Sequence, residues 1–316
     1  MQRLRQAGGG LLARAAAFDP RDRQLAVGRS LLALATLSIL VFTPTRALFV
    51  PTPDNPAGAR CGGARAVMLW CVGGQASWLP AVRLTVALAV LAVVVIGYRP
   101  RWTCVPHWYV TVSLGTTMTI PNGGDAVART ATMLLIVMCL GDRRRWHWQV
   151  DPEPYPADWG GASYAAHLVL RLQVALIYLS AVITKLQVPS WRHGTYLAEV
   201  LDHPYYGPAE PLRSLLGPWL DSRPSVAALT WGTLAVELAI AAAALGGPHI
   251  RRGGLALAIA LHGMIIVVMG LFSFGLVMIA LWTLASGGTA AVADTGTEGI
   301  IGTLRGSVRN RLSRDR

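Results

Sequence analysis

The chain has 316 residues, 53% hydrophobic and only 14% charged, with a mean hydropathy of +0.45. Soluble domains carry roughly a quarter charged residues, so a disordered chain, a disulfide-dense miniprotein and a typical cytosolic enzyme are excluded, and an all-α protein that crosses a membrane many times is expected. The net charge of +12 comes from 27 arginines and one lysine. The arginines lie in short stretches between apolar runs, as in cytoplasmic membrane loops, and no soluble module gathers them beside base-reading residues, so nucleic acid is not an expected partner.

Residues 1–23 read as a cytoplasmic or interfacial leader. Within it Leu11–Phe18 is either a short helix in the membrane interface or a loose segment. The leader is too long for a cleavable signal peptide and no small-residue cleavage pattern follows it, so the first span is expected to stay as an anchor. Eight segments then approach the length of about 20 residues that a helix needs to cross a bilayer. They are Gln24–Thr43, Leu79–Tyr98, Cys104–Ile120, Ala126–Leu140, Ser163–Gln187, Ser225–Leu245, Gly253–Gly270 and Leu271–Ser286, and together they make one transmembrane domain over residues 24–286. The last two form one apolar run; a straight helix of that length would reach about 50 Å, so a reversal near Gly270 is expected. Residues 287–316, rich in Gly, Ala and Thr, read as a flexible basic cytoplasmic tail.

The arginines support the count independently. With the amino terminus inside, Arg3, Arg5, Arg14, Arg21, Arg23, Arg99, Arg101, Arg143 to Arg145, Arg251, Arg252 and five tail arginines all fall on the cytoplasmic side. Both termini are therefore expected inside. Two outer segments are large, Val50–Trp78 and Val188–Pro224. The first holds Cys61 and Cys71, which are either a disulfide on the oxidising side or two buried thiols. Cys104 and Cys139 fall at inner helix ends and should stay reduced. No metal-binding, Walker or nucleophile-elbow motif occurs, and no metal is expected.

Ionisable groups at membrane depth are costly and tend to mark sites. The fifth span carries His167, Arg171, Tyr178 and Lys185 within about 40° of one another on the helical wheel, a polar stripe that should avoid lipid. Lys185 is the sole lysine. An ammonium can give up its proton when desolvated and a guanidinium cannot, so Lys185 is a candidate general base; the alternative is a lysine near a helix end that snorkels to headgroups. Glu237, about 16 Å deep, and His262, about 12 Å deep, can share its region. Their structural alternatives are an ion pair of Glu237 with Arg171 and a packing role for His262. Asn122 and Asp125, in Ile120-Pro-Asn-Gly-Gly-Asp125, read as turn and cap residues, or as one wall of an outward-facing pocket.

The run Tyr178-Leu-Ser-Ala-Val-Ile-Thr-Lys-Leu-Gln-Val-Pro-Ser-Trp-Arg-His-Gly194, with Met269-Gly-Leu-Phe-Ser-Phe-Gly-Leu-Val-Met-Ile-Ala280 and His262 upstream, resembles the horizontally transferred transmembrane (HTTM) family, which includes the vitamin K-dependent gamma-carboxylase. The matching positions include Tyr178, Lys185, Trp191 and Gly194. Within that family, the Asn122–Asp125 turn and Leu140-Gly-Asp-Arg-Arg-Arg-Trp-His-Trp148 resemble the sporulation-delaying protein B branch. That resemblance implies a role in maturing or exporting a secreted antimicrobial peptide, with the peptide precursor and a small accessory protein as partners. The carboxylase resemblance implies that Lys185 deprotonates a lipid quinol, with His262 and Glu237 beside it. The carboxylase's large extramembrane domain has no counterpart here, and one extra residue separates Lys185 from Trp191, so carboxylation of peptidyl glutamate is not implied. Intramembrane charges also fit a small-solute transporter, a weaker alternative because no internal repeat or paired broken helices are visible.

Overall fold

The computed structural model describes Ala15 and residues 17–288 apart from 54, 57 and 75. The basic tail beyond Gly288 and most of the Leu11–Phe18 segment lie outside the described residues. Those described fold into eight long helices: α1 (Arg23–Phe42), α2 (Leu79–Ile96), α3 (Pro100–Thr117), α4 (Gly123–Cys139), α5 (Ala157–Gln187), α6 (Arg223–Leu245), α7 (Pro248–Met269) and α8 (Phe272–Ser286). Short helices lie in the connecting segments, and no β-strand occurs among the described residues, only two isolated bridges.

Five of the eight, α1, α2, α5, α6 and α7, are long and apolar enough to cross a membrane; α8 is apolar but shorter. Every segment expected to be a span holds a helix, although the boundaries move. Prolines start α3 and α7 earlier than hydropathy suggests: Pro100 and Pro248 sit in the first turn, where their missing N–H costs nothing. As a result Arg251 and Arg252 are helical. The expected reversal falls at Gly270, whose φ of 69° is left-handed and ends α7, and α8 resumes at Phe272. Side chains carrying a Cβ avoid that region, which is why the break falls on the glycine.

Each long helix packs on the next in chain order, and α8 returns to pack along α1, closing the set, while also touching α4 and α5. One hydrophobic core, with Leu32, Leu135, Leu170, Ile240 and Trp282, occupies the space around α8. A second joins α1, α2 and α3 to Leu48 and Trp70 of the segment after α1. A small third core, Val182, Trp191 and Leu234, sits where α5 leaves the bundle. Phe18 is also buried, its ring 5.4 Å from those of Tyr164 and His167. The Phe18 ring so placed fills the gap beside α5.

Polar contacts define one end of the bundle. Arg21 pairs with Asp151, the backbone N–H of Gly288 donates to Asp22 at 2.5 Å, and that of Arg99 donates to the Arg145 carbonyl at 2.8 Å. The start of α1, the α2–α3 and α4–α5 connections and the end of α8 therefore meet. At the other end lies Cys61–Cys71, joined as a disulfide with a Cα–Cα distance of 5.5 Å, while Cys104 and Cys139 are free and buried.

Candidate functional site

Lys185 closes the last turn of α5, and its Nζ donates to Oε1 of Glu237 on α6. The ammonium also lies 5.2 Å from the ring centroid of Trp191, within cation–π range. Trp191 is buried in the short helix Pro189–His193 and stacks on Tyr196 with centroids 4.4 Å apart. Pro189 sets the turn that swings this segment back over the helix end, and Gly194, left-handed at φ 72°, ends it. Chain reversal thus brings Trp191 onto the lysine six residues before it. The lysine side chain is 26% exposed and that of Glu237 only 9%, so the pair is shielded on the glutamate side and open on the lysine side.

About two helical turns back along α5, the Tyr178 hydroxyl and His262 Nε2 share a hydrogen bond of 2.7 Å, and both residues are buried. The His262 ring meets Phe274 of α8 edge-on at 5.6 Å. Two buried polar atoms here have no hydrogen-bond partner, Glu237 Oε2 and His262 Nδ1. Left dry, such atoms are destabilising by about 1–3 kcal/mol each, so the site holds hydrogen-bonding capacity that its packing does not use. It can pass a proton between Lys185 and Glu237 and receive a polar group at two further positions.

The structure separates other parts of the expected constellation. Arg171 does not pair with Glu237. Its Nε and Nη2 donate to the carbonyls of Ala244 and Gly246, and Arg251 Nη1 donates to Gly246 as well. These are the unsatisfied carbonyls at the end of α6, which attract cations, and they lie too far along the helix for Arg171 to reach Glu237 also. The polar stripe of α5 is therefore split: His167 and Arg171 serve one end of the bundle, Tyr178 and Lys185 the other. Asn122 and Asp125 form a capping box, each side chain accepting from the other's backbone N–H at 3.2 and 2.7 Å, so their contacts are those of the turn reading.

A second charged cluster went unread in the sequence. Arg29 of α1 is 1% exposed and donates to Thr103 Oγ1 at 2.5 Å and to His147 Nδ1 at 3.3 Å. A guanidinium only donates, so His147 accepts through Nδ1 and carries its proton on Nε2, which is buried without a partner. Burial first, then the Arg29 and Arg144 charges, push the His147 imidazole down to about 3. The signal was available: Arg29 is a charged residue within the apolar run of the first span.

Helices of membrane length and a polar cluster set among them define an all-helical membrane protein. The chain is 31% identical to the uncharacterized protein YitO of Bacillus subtilis (strain 168) over 261 residues, 82% of this chain and 84% of that one. It is 30% identical to the sporulation-delaying protein SdpB of the same organism over 270 residues, 83% of this chain and 80% of that one. The chain belongs to the SdpB-like family of membrane proteins. No protein-family profile matches it, and no solved structure does.

Proposed function

We propose that the chain is a multi-pass cell-membrane protein with eight spans and both termini in the cytoplasm, and that it assists the maturation or export of a secreted antimicrobial peptide, acting on the peptide precursor together with a small accessory protein. Similarity to SdpB over more than four fifths of both chains supports this reading. So does the alternation of the helices between an arginine-rich end and an end carrying the disulfide and the segment 188–224. The observation that carries it is the sole lysine, tied to Glu237 and Trp191 at the point where that outer segment leaves α5. This contact couples a buried carboxylate to the part of the chain best placed to meet an exported peptide.

A second reading, in which the chain is an HTTM-family enzyme that uses a lipid quinol, is favoured by the two unpartnered atoms Glu237 Oε2 and His262 Nδ1. They suit the hydroxyls of such a ring, and Phe274 and Trp191 offer aromatic walls. Bound there, a quinol would supply an ionisable hydroxyl and reducing equivalents. Lys185, after passing its own proton to Glu237, would accept the proton of the quinol hydroxyl, while Tyr178 keeps His262 in one orientation.

Replacing Lys185 by Arg and by Met, at matched amounts of folded protein, tests both readings. Active peptide is expected to fall at least about tenfold in Lys185→Met, since the charge and the tie to Glu237 are lost together. Wild-type output from Lys185→Arg would leave only the charge in play and exclude base catalysis. Wild-type output from both variants would overturn the role given to the lysine.

A further inference from the structure

The α2–α3 connection is pinned to the α4–α5 connection by a short antiparallel clasp. The Arg99 N–H donates to the Arg145 carbonyl at 2.8 Å, the His147 N–H donates to the Gly97 carbonyl at 2.9 Å, and Tyr98 and Trp146 pair between them with rings 5.1 Å apart. Gly97 must be a glycine here: its φ is 87°, and a Cβ would fall 2.1 Å from the His147 ring. Arg99 is left-handed too, at φ 38°, and is the one non-glycine residue with positive φ among those described. Such an unfavourable conformation persists only where its surroundings impose it, and it concentrates at binding sites.

The clasp gathers Arg99, Arg101, Arg143, Arg144 and Arg145 around a pocket of about 220 Å³. Five guanidinium groups face one carboxylate, Asp142, and that carboxylate is already engaged. Its Oδ1 accepts from Arg144 Nε at 2.9 Å and its Oδ2 from Arg144 Nη2 at 2.7 Å, while Arg144 Nη1 donates to the Gln149 carbonyl. Among the described residues Arg99, Arg101, Arg143 and Arg145 form no salt bridge. Four exposed arginines around one pocket make its field positive, and an anion bound among them is attracted by all four. Guanidinium groups suit phosphate oxygens in particular.

We propose that this pocket binds the phosphate group of an anionic phospholipid. Its depth selects a lipid over a free phosphate. The pocket opens just past Ile96, where an 18-residue apolar helix of membrane length ends, so it lies at the headgroup layer if α2 crosses a bilayer. Trp102 lines it and Trp148 stands beside it; both are exposed, and the Trp148 indole N–H donates to the Ile96 carbonyl at 2.9 Å. Tryptophans so placed anchor a protein at the membrane–water interface. The site is far from Lys185 and does not depend on what that residue does.

The test uses the full-length protein in lipid nanodiscs or micelles, with phosphatidylglycerol and phosphatidylcholine as probes and retained lipid counted by native mass spectrometry. Wild type is expected to retain phosphatidylglycerol in preference to phosphatidylcholine. The variant Arg101→Gln/Arg143→Gln/Arg145→Gln should lose that preference by roughly two orders of magnitude, from about a fivefold loss per cation. Arg46→Gln/Arg60→Gln/Arg65→Gln, which removes as many exposed charges at the opposite end, should leave it intact. Arg143→Gln alone, whose side chain has no hydrogen bond to lose, should show about a fivefold loss and gives the reading should the triple variant fail to fold. Equal losses in the two triple variants, or none in the first, would overturn the site. Inorganic phosphate that displaces the lipid at comparable concentration would overturn the assignment to lipid.

Discussion

Lys185 and Arg29 are cations set into apolar helices at opposite ends of the bundle, and the protein compensates them differently. Lys185 is half-buried and has a carboxylate. Arg29 is fully buried and has only a neutral hydroxyl and a neutral imidazole. A charge with an opposite partner is lost or kept as a pair, and removing one member strands the other. A charge held by neutral acceptors carries its desolvation cost alone, and removing it gives that cost back. The two regions therefore answer differently to the same kind of substitution, and the pair marks the end where a proton or a polar substrate has somewhere to go.

The largest effect is expected from Glu237→Leu, which leaves the Lys185 ammonium without a partner. Unfolding in detergent should show a loss of about 2–3 kcal/mol, less than for a fully buried pair because the lysine reaches solvent. Adding Lys185→Met should restore stability to within about 1 kcal/mol of wild type. Additive losses in the double variant would mean that the two side chains are not coupled.

Acid should weaken the Arg29 end. The folded His147 imidazole is held near 3, and an unfolded one titrates near 6.5. The unfolded chain therefore takes up the proton first, and this contribution to stability, complete above about pH 6.5, drains away as the pH falls toward 3. His147→Asn should flatten the dependence of unfolding free energy on pH between about 6.5 and 4. An unchanged slope would show that His147 takes up its proton as readily in the folded protein as in the unfolded chain, so that in acid Arg29 would face a cation and not an acceptor.

The smallest effect is expected from Arg29→Met. Two hydrogen bonds are lost, but so is an uncompensated buried charge, and the thioether fills a similar volume, so stability should move by no more than about 1 kcal/mol. A loss several times larger would make Arg29 as dependent on its surroundings as Lys185 and dissolve the contrast between the ends.

The positions of all eight helices were legible from hydropathy and arginine spacing, because both follow from transfer energies that act residue by residue. The prominence of Lys185, Glu237 and His262 was legible for the same reason. Their partners were not. Sequence spacing let Glu237 choose between Arg171 and Lys185, and the choice was made by the free carbonyls of Ala244 and Gly246, which claim the guanidinium first. The Arg29 cluster stayed hidden because Thr103 comes from the first turn of α3 and His147 from the α4–α5 connection, and only the pinning of that connection to the start of α3 brings them to α1.

The closure of α8 against α1 has a consequence for biosynthesis. Helix α1 finds its most extensive neighbour in α8, so the part of its buried face around Gly28 waits through the synthesis of six intervening helices before it is covered. Contacts of such long sequence separation form late and leave nascent intermediates vulnerable. Truncation just before α8 should therefore cost the whole assembly, and not merely its final helix.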